Sequence, residues 1–212
     1  DYFVDEGGEY WRAITLIGSA TSYEKAQGVE HALEVGTVLG QFHRLISNLD
    51  PAGLYDTLPG FHVTPGYLRK YDDTLATAEA QRQLAGSVEA RRLKLFIEER
   101  RALAQVLEHA LQSGELALRL IHGDPKGTNI MIDDFTSKGT SIVDLDTAKP
   151  GLIHYDFGDA LRSICNREGE ETDNLGRVVF DVDLCDAFVK GYLTQAKAFL
   201  TERDRHYLYD SI

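Results

Sequence analysis

Three side chains with oxygen atoms stand at the ends of short apolar segments in the middle of the chain. The apolar segment 116–121 is followed by His122-Gly123-Asp124, Asn129 opens the next apolar segment, and Asp144 closes a third. Short apolar segments separated by polar turns favour buried strands. This spacing therefore predicts short strands whose ends carry Asp124, Asn129 and Asp144 into one open cleft.

The residue types in this cleft fit phosphoryl transfer from a nucleotide. Asp124 can orient an acceptor hydroxyl and accept its proton. Asn129 and Asp144 supply the amide and carboxylate oxygens that Mg²⁺ prefers, and Lys126 supplies a cation that neutralises charge on the transferred group. We therefore predict that Asp124 and Lys126 are catalytic and that Asn129 and Asp144 bind Mg²⁺. Each residue alone could be an ordinary surface group, and it is the combined spacing that favours the catalytic interpretation.

The rest of the chain predicts a mainly helical protein of the α+β class. Apolar residues at helical spacing predict long helices over 23–49 and 87–112, and helices resume near Phe157 and continue to the end. Residues 2–17 predict a β-hairpin around a glycine pair, whereas 51–75 is rich in Gly and Pro and predicts an irregular loop. This arrangement excludes a parallel α/β sheet and a β-sandwich.

Composition restricts the possible partners. The chain of 212 residues is 43% hydrophobic and carries a formal net charge of −12. That hydrophobic content supports a folded core, and no apolar segment approaches the ~20 residues of a membrane span. Strong negative charge disfavours binding to nucleic acid or to an anionic membrane. We expect a small-molecule substrate and a cytoplasmic location, with Cys165 and Cys185 as free thiols.

The segment from His122 to Asn129, HGDPKGTN, follows the pattern H-x-D, four residues, N. It resembles the catalytic loop of protein kinases and of the aminoglycoside phosphotransferase and choline kinase superfamily. The resemblance implies a protein-kinase-like fold with ATP as co-substrate, Mg²⁺ as cofactor and Asp144 as the metal-binding aspartate. It also implies that His122 supports the loop and that Asp156, in HYDFGD, braces it, with helix capping as the alternative for Asp156.

The same resemblance implies a layout. Residues 1–20 are expected to be a remnant of the small lobe and the hinge, and 21–212 the catalytic large lobe with most of the helices. The hinge backbone that contacts adenine is expected to comprise Ile17, Gly18, Ser19 and Ala20. Because the glycine-rich loop and strand lysine of such kinases are not present, and related sugar kinases continue beyond the point matching Ile212, we interpret the chain as truncated at both ends. An exposed N-terminal hairpin is expected to favour self-association.

Two further segments indicate which branch of this superfamily the chain resembles. FHRLISNLDPAGLYDTLPGFHVTP and VDLDTAKPGLIHYDFGDALRS are similar to bacterial N-acetylhexosamine kinases, which phosphorylate the anomeric hydroxyl of an amino sugar. The similarity implies an N-acetylhexosamine acceptor, with His62, Asp159 and Arg162 as candidate acceptor contacts. Two alternatives stay open. One is an aminoglycoside, choline or another amino alcohol as acceptor, which the negative charge favours; the other is an inactive, truncated kinase that acts only as a binding domain.

Overall fold

A computed structural model describes residues 2–212; Asp1, which the sequence prediction assigned to the small lobe, lies outside the described residues. The helices are α1 Val29–Ile46, α2 Thr64–Leu75, α3 Ala78–Gly86, α4 Val88–Arg100, α5 Val106–Gln112, α6 Ile153–Ile164, α7 Val182–Ala196 and α8 Glu202–His206. The strands are β1 Phe3–Val4, β2 Tyr10–Trp11, β3 Ala20–Thr21, β4 Arg119–Ile121, β5 Ile130–Asp133, β6 Gly139–Ile142 and β7 Lys149–Gly151. No helix within residues 2–212 is long and apolar enough to cross a membrane. Long helices and very short strands agree with the predicted α+β class.

Two small antiparallel sheets position the predicted cleft. β5 lies at the centre of the first sheet, between β3 and β6. β4 and β7 form the second sheet, in which Ile121 pairs with Lys149. His122 therefore follows the end of β4, and the turn that contains Asp144 connects β6 to β7. Both sheets thus lead into the same group of loops.

Two glycines allow α1 and α7 to approach each other closely. A Cβ atom added at Gly36 would lie 2.1 Å from the carbonyl oxygen of Phe188, and one added at Gly191 would lie 2.0 Å from that of Leu33. Since no side chain fits at such distances, only glycine allows this packing. α6 completes the core beside the two helices. The largest fully buried side chains include Leu39, Ile121, Ile130, Phe157, Leu161, Leu184, Phe188 and Tyr192.

The N-terminal segment is less regular than predicted. β1 and β2 pair as an antiparallel hairpin with Phe3 opposite Trp11, but residues 12–17 form no strand and are mostly exposed. The predicted strand that continues to Ile17 is therefore wrong. Across the described part of the chain no neighbouring strand pairs with residues 12–17, so their backbone groups face solvent.

Helix boundaries after α1 also differ from the prediction. Residues 64–75, placed in an irregular loop, form α2, whose first turn contains a proline that is well tolerated there. The predicted helix over 87–112 is two helices, α4 and α5, separated by residues 101–105. Two of the apolar residues whose helical spacing favours a buried face of that helix, Phe96 and Leu103, are instead 54% and 64% exposed. Helical spacing located the apolar residues but did not show that this part of the chain packs loosely against the core.

The sequence prediction also missed the start of α1 and the whole of α3. α1 begins at Val29 and not near residue 23, because residues 20–21 pair with β5 and Gly28 has a φ of 148°, outside the helical range. α3 was not predicted, since its short polar sequence has no buried residue.

Cys165 and Cys185 are free thiols, and burial raises the pKa of Cys165 to about 12.

Candidate active site

A buried carboxylate holds the loop that follows β4. Asp156 in α6 is fully buried, and its carboxylate accepts hydrogen bonds from the backbone N–H groups of His122 at 2.7 Å and Gly123 at 2.9 Å. The ring of His43, in α1, donates from Nε2 to the same carboxylate at 2.9 Å. Its Nδ1 lies 3.0 Å from the hydroxyl of Tyr192, which donates to it. The carboxylate thus connects two core helices to the loop.

The ionisation of Asp156 depends on these partners. Burial by itself would raise the pKa of Asp156, but the hydrogen bonds from His43, Gly123 and His122 more than offset that effect, and the pKa lies below its usual value. The side chain is therefore ionised at neutral pH. Its hydrogen bonds go to the loop and to α1, and none goes to the N–H groups of its own helix. This geometry supports the bracing interpretation over helix capping.

Asp124, Lys126 and Asn129 lie in contact at the open side of this loop. Lys126 Nζ lies 2.8 Å from Asp124 Oδ2, and this hydrogen bond is the main reason that the pKa of Lys126 is raised. Asn129 Nδ2 donates to the Asp124 carbonyl oxygen at 2.7 Å and lies 3.4 Å from Asp124 Oδ2. Between them, the backbone N–H of Gly127 donates to Ser163 Oγ at 3.2 Å, which ties the loop to α6.

Asp144 lies beside this group, on a strained turn. Its backbone is left-handed, with φ 66° and ψ 56°, a conformation that is uncommon for residues other than glycine and that clusters at functional sites. The ring of His122 donates from Nε2 to Val143 O at 2.8 Å, and Thr147 Oγ1 donates to His122 O at 2.9 Å. His122 therefore binds both sides of the turn. The charge of Asp144 contributes to the raised pKa of Lys126, as expected for neighbouring groups.

Asn129 and Asp144 keep oxygen atoms available for a cation. Asn129 uses its Nδ2 within the loop, and none of the residues 2–212 donates to its Oδ1. The Asp144 side chain is exposed and caps no helix. One amide oxygen and one carboxylate fit Mg²⁺, which commonly takes one or two protein ligands together with water and phosphate oxygens. The described residues contain no group of three or more His, Cys, Asp or Glu side chains that would form an all-protein cage.

The three residues predicted to contact the phosphoryl acceptor line one cavity next to the loop. The cavity has a volume of about 240 Å³, and its lining includes His62, Asp159 and Arg162. His62 donates from Nε2 to Gly123 O at 2.7 Å, so the cavity adjoins the loop. Burial raises the pKa of Asp159 despite its ion pair with Arg162 at 2.8 Å, and the nearby charge of Asp124 raises it further. The structure therefore brings these three residues together beside the candidate catalytic group.

A second cavity, of about 300 Å³, is lined in part by Lys126. Its polar lining includes Thr128 and Ser163, and its acidic lining consists of Glu24, Glu168, Glu170 and Glu171. Arg162 pairs with Glu170 at 2.9 Å as well as with Asp159. The guanidinium thus connects the two cavities.

The predicted hinge lies at the edge of the β5–β6 sheet. Ala20 pairs with Asp133, and the N–H of Asp134 donates to Ser19 O at 2.9 Å. No hydrogen bond joins this segment to Asp124, Asn129 or Asp144 within the described residues. Adenine contact by Ile17, Gly18, Ser19 and Ala20 stays a prediction.

Three residues that support the loop were not identified from the sequence. His43 lies on the buried, largely apolar face of α1, a position that indicates a core histidine but not its link to Asp156. Ser163 and Lys149 lie within the quoted segment 143–163, but the sequence assigned neither of them a role. Lys149 is 2% exposed, and no periodic pattern in the sequence indicates that a lysine is buried there.

Comparisons with solved structures describe the fold. A microcompartment-associated aminopropanol kinase matches with a TM-score of 0.56 and 22% identity over 92% of this chain and 54% of its own. An aminoglycoside-3'-phosphotransferase of type VIII matches with a TM-score of 0.46 and 18% identity over 91% of this chain and 65% of its own. A Plasmodium vivax ethanolamine kinase matches with a TM-score of 0.47 and 15% identity over 90% of this chain and 52% of its own.

The likeness to the aminopropanol kinase confirms the predicted α+β, protein-kinase-like fold. This chain spans between 52% and 65% of the length of these structures. The sequence model of the phosphotransferase enzyme family, APH, matches residues 4–206, which is nearly the whole chain. The chain therefore belongs to the APH phosphotransferase enzyme family.

Proposed function

We propose that the protein transfers the γ-phosphoryl group of ATP to a hydroxyl group of a small molecule. The observation that carries this proposal is the contact group of Asp124, Lys126 and Asn129, held from behind by buried Asp156 and adjoining Asp144. Phosphoryl transfer depends mainly on positioning and on electrostatic stabilisation. A rigid loop that presents a carboxylate, a cation and metal-binding oxygens side by side meets both needs.

Each residue has a distinct role in this proposal. The Asp124 carboxylate orients the acceptor hydroxyl and accepts its proton. Lys126 places positive charge next to the transferred group, where negative charge develops. Asn129 Oδ1 and the Asp144 carboxylate hold Mg²⁺, which when bound supplies charge neutralisation at the phosphate oxygens. His122 and Asp156 keep Asp124 and Asp144 in place, and the backbone of Ile17, Gly18, Ser19 and Ala20 contacts adenine.

The acceptor occupies the cavity of about 240 Å³ beside the loop. An N-acetylhexosamine is the first candidate, supported by the similarity of the 42–65 and 143–163 segments to that kinase branch and by the polar side chains of His62, Asp159 and Arg162. An aminoglycoside, choline or another amino alcohol is the second. Glu108 and Asp210 line the same cavity together with Asp159, and such carboxylates favour a protonated amine.

An alternative to catalysis is that the protein acts only as a binding domain for a partner. That alternative predicts that no acceptor is phosphorylated. Self-association through the N-terminal hairpin is supported by the exposure of Tyr2 (71%), Tyr10 (73%) and Trp11 (60%).

An acceptor panel tests the proposal. The purified protein is incubated with Mg²⁺ and γ-labelled ATP together with N-acetylglucosamine, N-acetylgalactosamine, an aminoglycoside, choline or ethanolamine. We expect labelled product with one acceptor class, dependent on Mg²⁺ and lost on Asp124→Asn. Transfer that is equally fast without acceptor or with Asp124→Asn would contradict the proposal. Light scattering of the same samples measures self-association.

A further inference from the structure

A buried lysine anchors the segment that contacts the candidate catalytic loop. The side chain of Lys149 is 3% exposed. Its Nζ lies 3.1 Å from an Asp56 carboxylate oxygen, 2.9 Å from Leu58 O and 3.4 Å from Phe61 O. An ammonium group has three N–H donors and is costly to bury unless they are paired. All the bonds from this ammonium go to a single stretch of chain, residues 54–63, named here the 54–63 segment.

The 54–63 segment has little else to hold it. Its residues 54–60 are exposed, and apart from the contacts of His62 its hydrogen bonds, other than those to Lys149, are local turns such as Phe61 N–H to Leu58 O at 3.0 Å and Val63 N–H to Gly60 O at 3.1 Å. Local turns of this kind do not fix a segment relative to the core. Lys149 does so, because its backbone belongs to β7, directly beside β4.

The end of the 54–63 segment reaches the catalytic loop. His62 has a left-handed backbone with φ 66°, its N–H donates to Tyr67 OH at 2.8 Å, and its ring stacks on Tyr155 with 5.9 Å between centroids. Its Nε2 donates to Gly123 O at 2.7 Å. Since Asp156 accepts from the N–H of the same glycine, Gly123 is held at both its N–H and its carbonyl. The peptide unit so fixed is the one that leads into Asp124.

We propose that Lys149 is a positioning residue that holds the 54–63 segment so that His62 fixes Gly123 O and, with it, the direction of Asp124. The proposal rests on the proposed phosphotransferase function for its kinetic consequence. Lys149 acts from outside the cleft, through His62, and contacts neither the nucleotide nor the acceptor. Displacement of a catalytic group by about 1 Å can reduce the rate by ~10²-fold, so an anchor of this kind has a measurable effect.

The test compares Lys149→Met with Lys190→Met, a control in which an exposed lysine on α7 loses a surface ion pair with Asp186. Hydrogen–deuterium exchange of the 54–63 segment and of residues 122–124, kcat, and the KM for ATP are measured on both. For Lys149→Met we expect faster exchange in both regions, a kcat reduced by ~10-fold or more and an unchanged KM for ATP. The control should match the wild type in all of them. Wild-type exchange or wild-type kcat in Lys149→Met would overturn the proposal.

A double mutant separates positioning through His62 from a general structural effect. If Lys149 acts through His62, then Lys149→Met combined with His62→Ala should reduce kcat no further than the more damaging single substitution. Multiplied losses would overturn the proposed route. If Lys149→Met does not fold, Asp56→Asn removes the charged partner of Lys149, and wild-type exchange of the 54–63 segment in that variant would overturn the anchoring role.

If the wild-type protein phosphorylates no acceptor, the proposed function fails, and exchange decides the structural part separately. Faster exchange at both 54–63 and 122–124 in Lys149→Met then supports the coupling between the segment and the loop. Faster exchange in the segment alone would overturn it.

Discussion

Replacement of Asp156 by Asn should destabilise the protein and misplace the catalytic loop. The carboxylate accepts three hydrogen bonds in a fully buried site, from His122 N, Gly123 N and His43 Nε2. An asparagine has one acceptor oxygen, and its amide N–H₂ would face at least one of these donors. A buried donor left unpaired costs about 1–3 kcal/mol, and the remaining bonds lose the strengthening that a charged acceptor gives, about 1 kcal/mol more. The free energy of unfolding should therefore fall by roughly 2–4 kcal/mol.

The stabilisation that Asp156 provides should depend on pH, and the direction of that dependence follows from its pKa. The folded-state pKa of Asp156 lies below its usual value of 3.8, so the unfolded state binds the proton more readily than the folded state. The stabilisation from Asp156 is then fully present above pH values near 3.8 and is lost as the pH falls through the lower, folded-state pKa. Asp156→Asn should lack this part of the acid dependence.

Urea unfolding at neutral pH and at several acidic pH values measures both effects. Asp146→Asn is the matched control, because that side chain is 71% exposed and its ion pair among residues 2–212 is with exposed Arg12, a type of pair that contributes little. A free energy of unfolding for Asp156→Asn within about 0.5 kcal/mol of the wild type would refute the bracing role, since such small changes are typical of surface substitutions.

Two further predictions concern the helix interface and Lys126. Gly191→Ala should destabilise the fold by about 1–3 kcal/mol or prevent folding, because its Cβ would lie 2.0 Å from Leu33 O. The control in the same thermal-unfolding assay is Gly86→Ala, where no atom lies within 4 Å of the added Cβ. Equal Tm values for the two variants would contradict the packing argument. Lys126→Met should lower kcat by ~10²-fold or more while the fold stays intact, since it removes the positive charge next to the transferred phosphoryl group. Steady-state kinetics measure the effect, with circular dichroism as the folding control. An unchanged kcat would exclude the electrostatic role.

The local motif was the most predictable part of the molecule. Asp124, Asn129 and Asp144 are separated by short strands, and the pairing of such strands allows few arrangements of their ends, so the spacing indicated that these side chains lie near each other. The same reasoning located β4, β5 and β6 within a few residues. Hydrophobic periodicity located α1 and the helical region 87–112 only approximately, because it does not show where a helix begins or ends.

The supporting contacts were less predictable because they join residues far apart in the chain. The bond between His43 and Asp156 spans 113 residues, and that between Lys149 and Leu58 spans 91; neither leaves a periodic signal. The strand predicted to continue to Ile17 failed for a related reason: a strand needs a partner, and the local sequence does not say whether one is present. Tertiary packing decides such features.

The central claim is that Asp124 acts on the acceptor and Asp144 on the metal–nucleotide complex. Titration calorimetry with Mg²⁺ and a non-hydrolysable ATP analogue, on the wild type, Asp124→Ala and Asp144→Ala, tests this division directly. We predict that Asp124→Ala binds the nucleotide with an affinity close to that of the wild type while kcat falls by ~10²–10⁴-fold, and that Asp144→Ala loses Mg²⁺-dependent binding. Equal and mild losses in both variants, or loss of nucleotide binding in Asp124→Ala alone, would contradict the account.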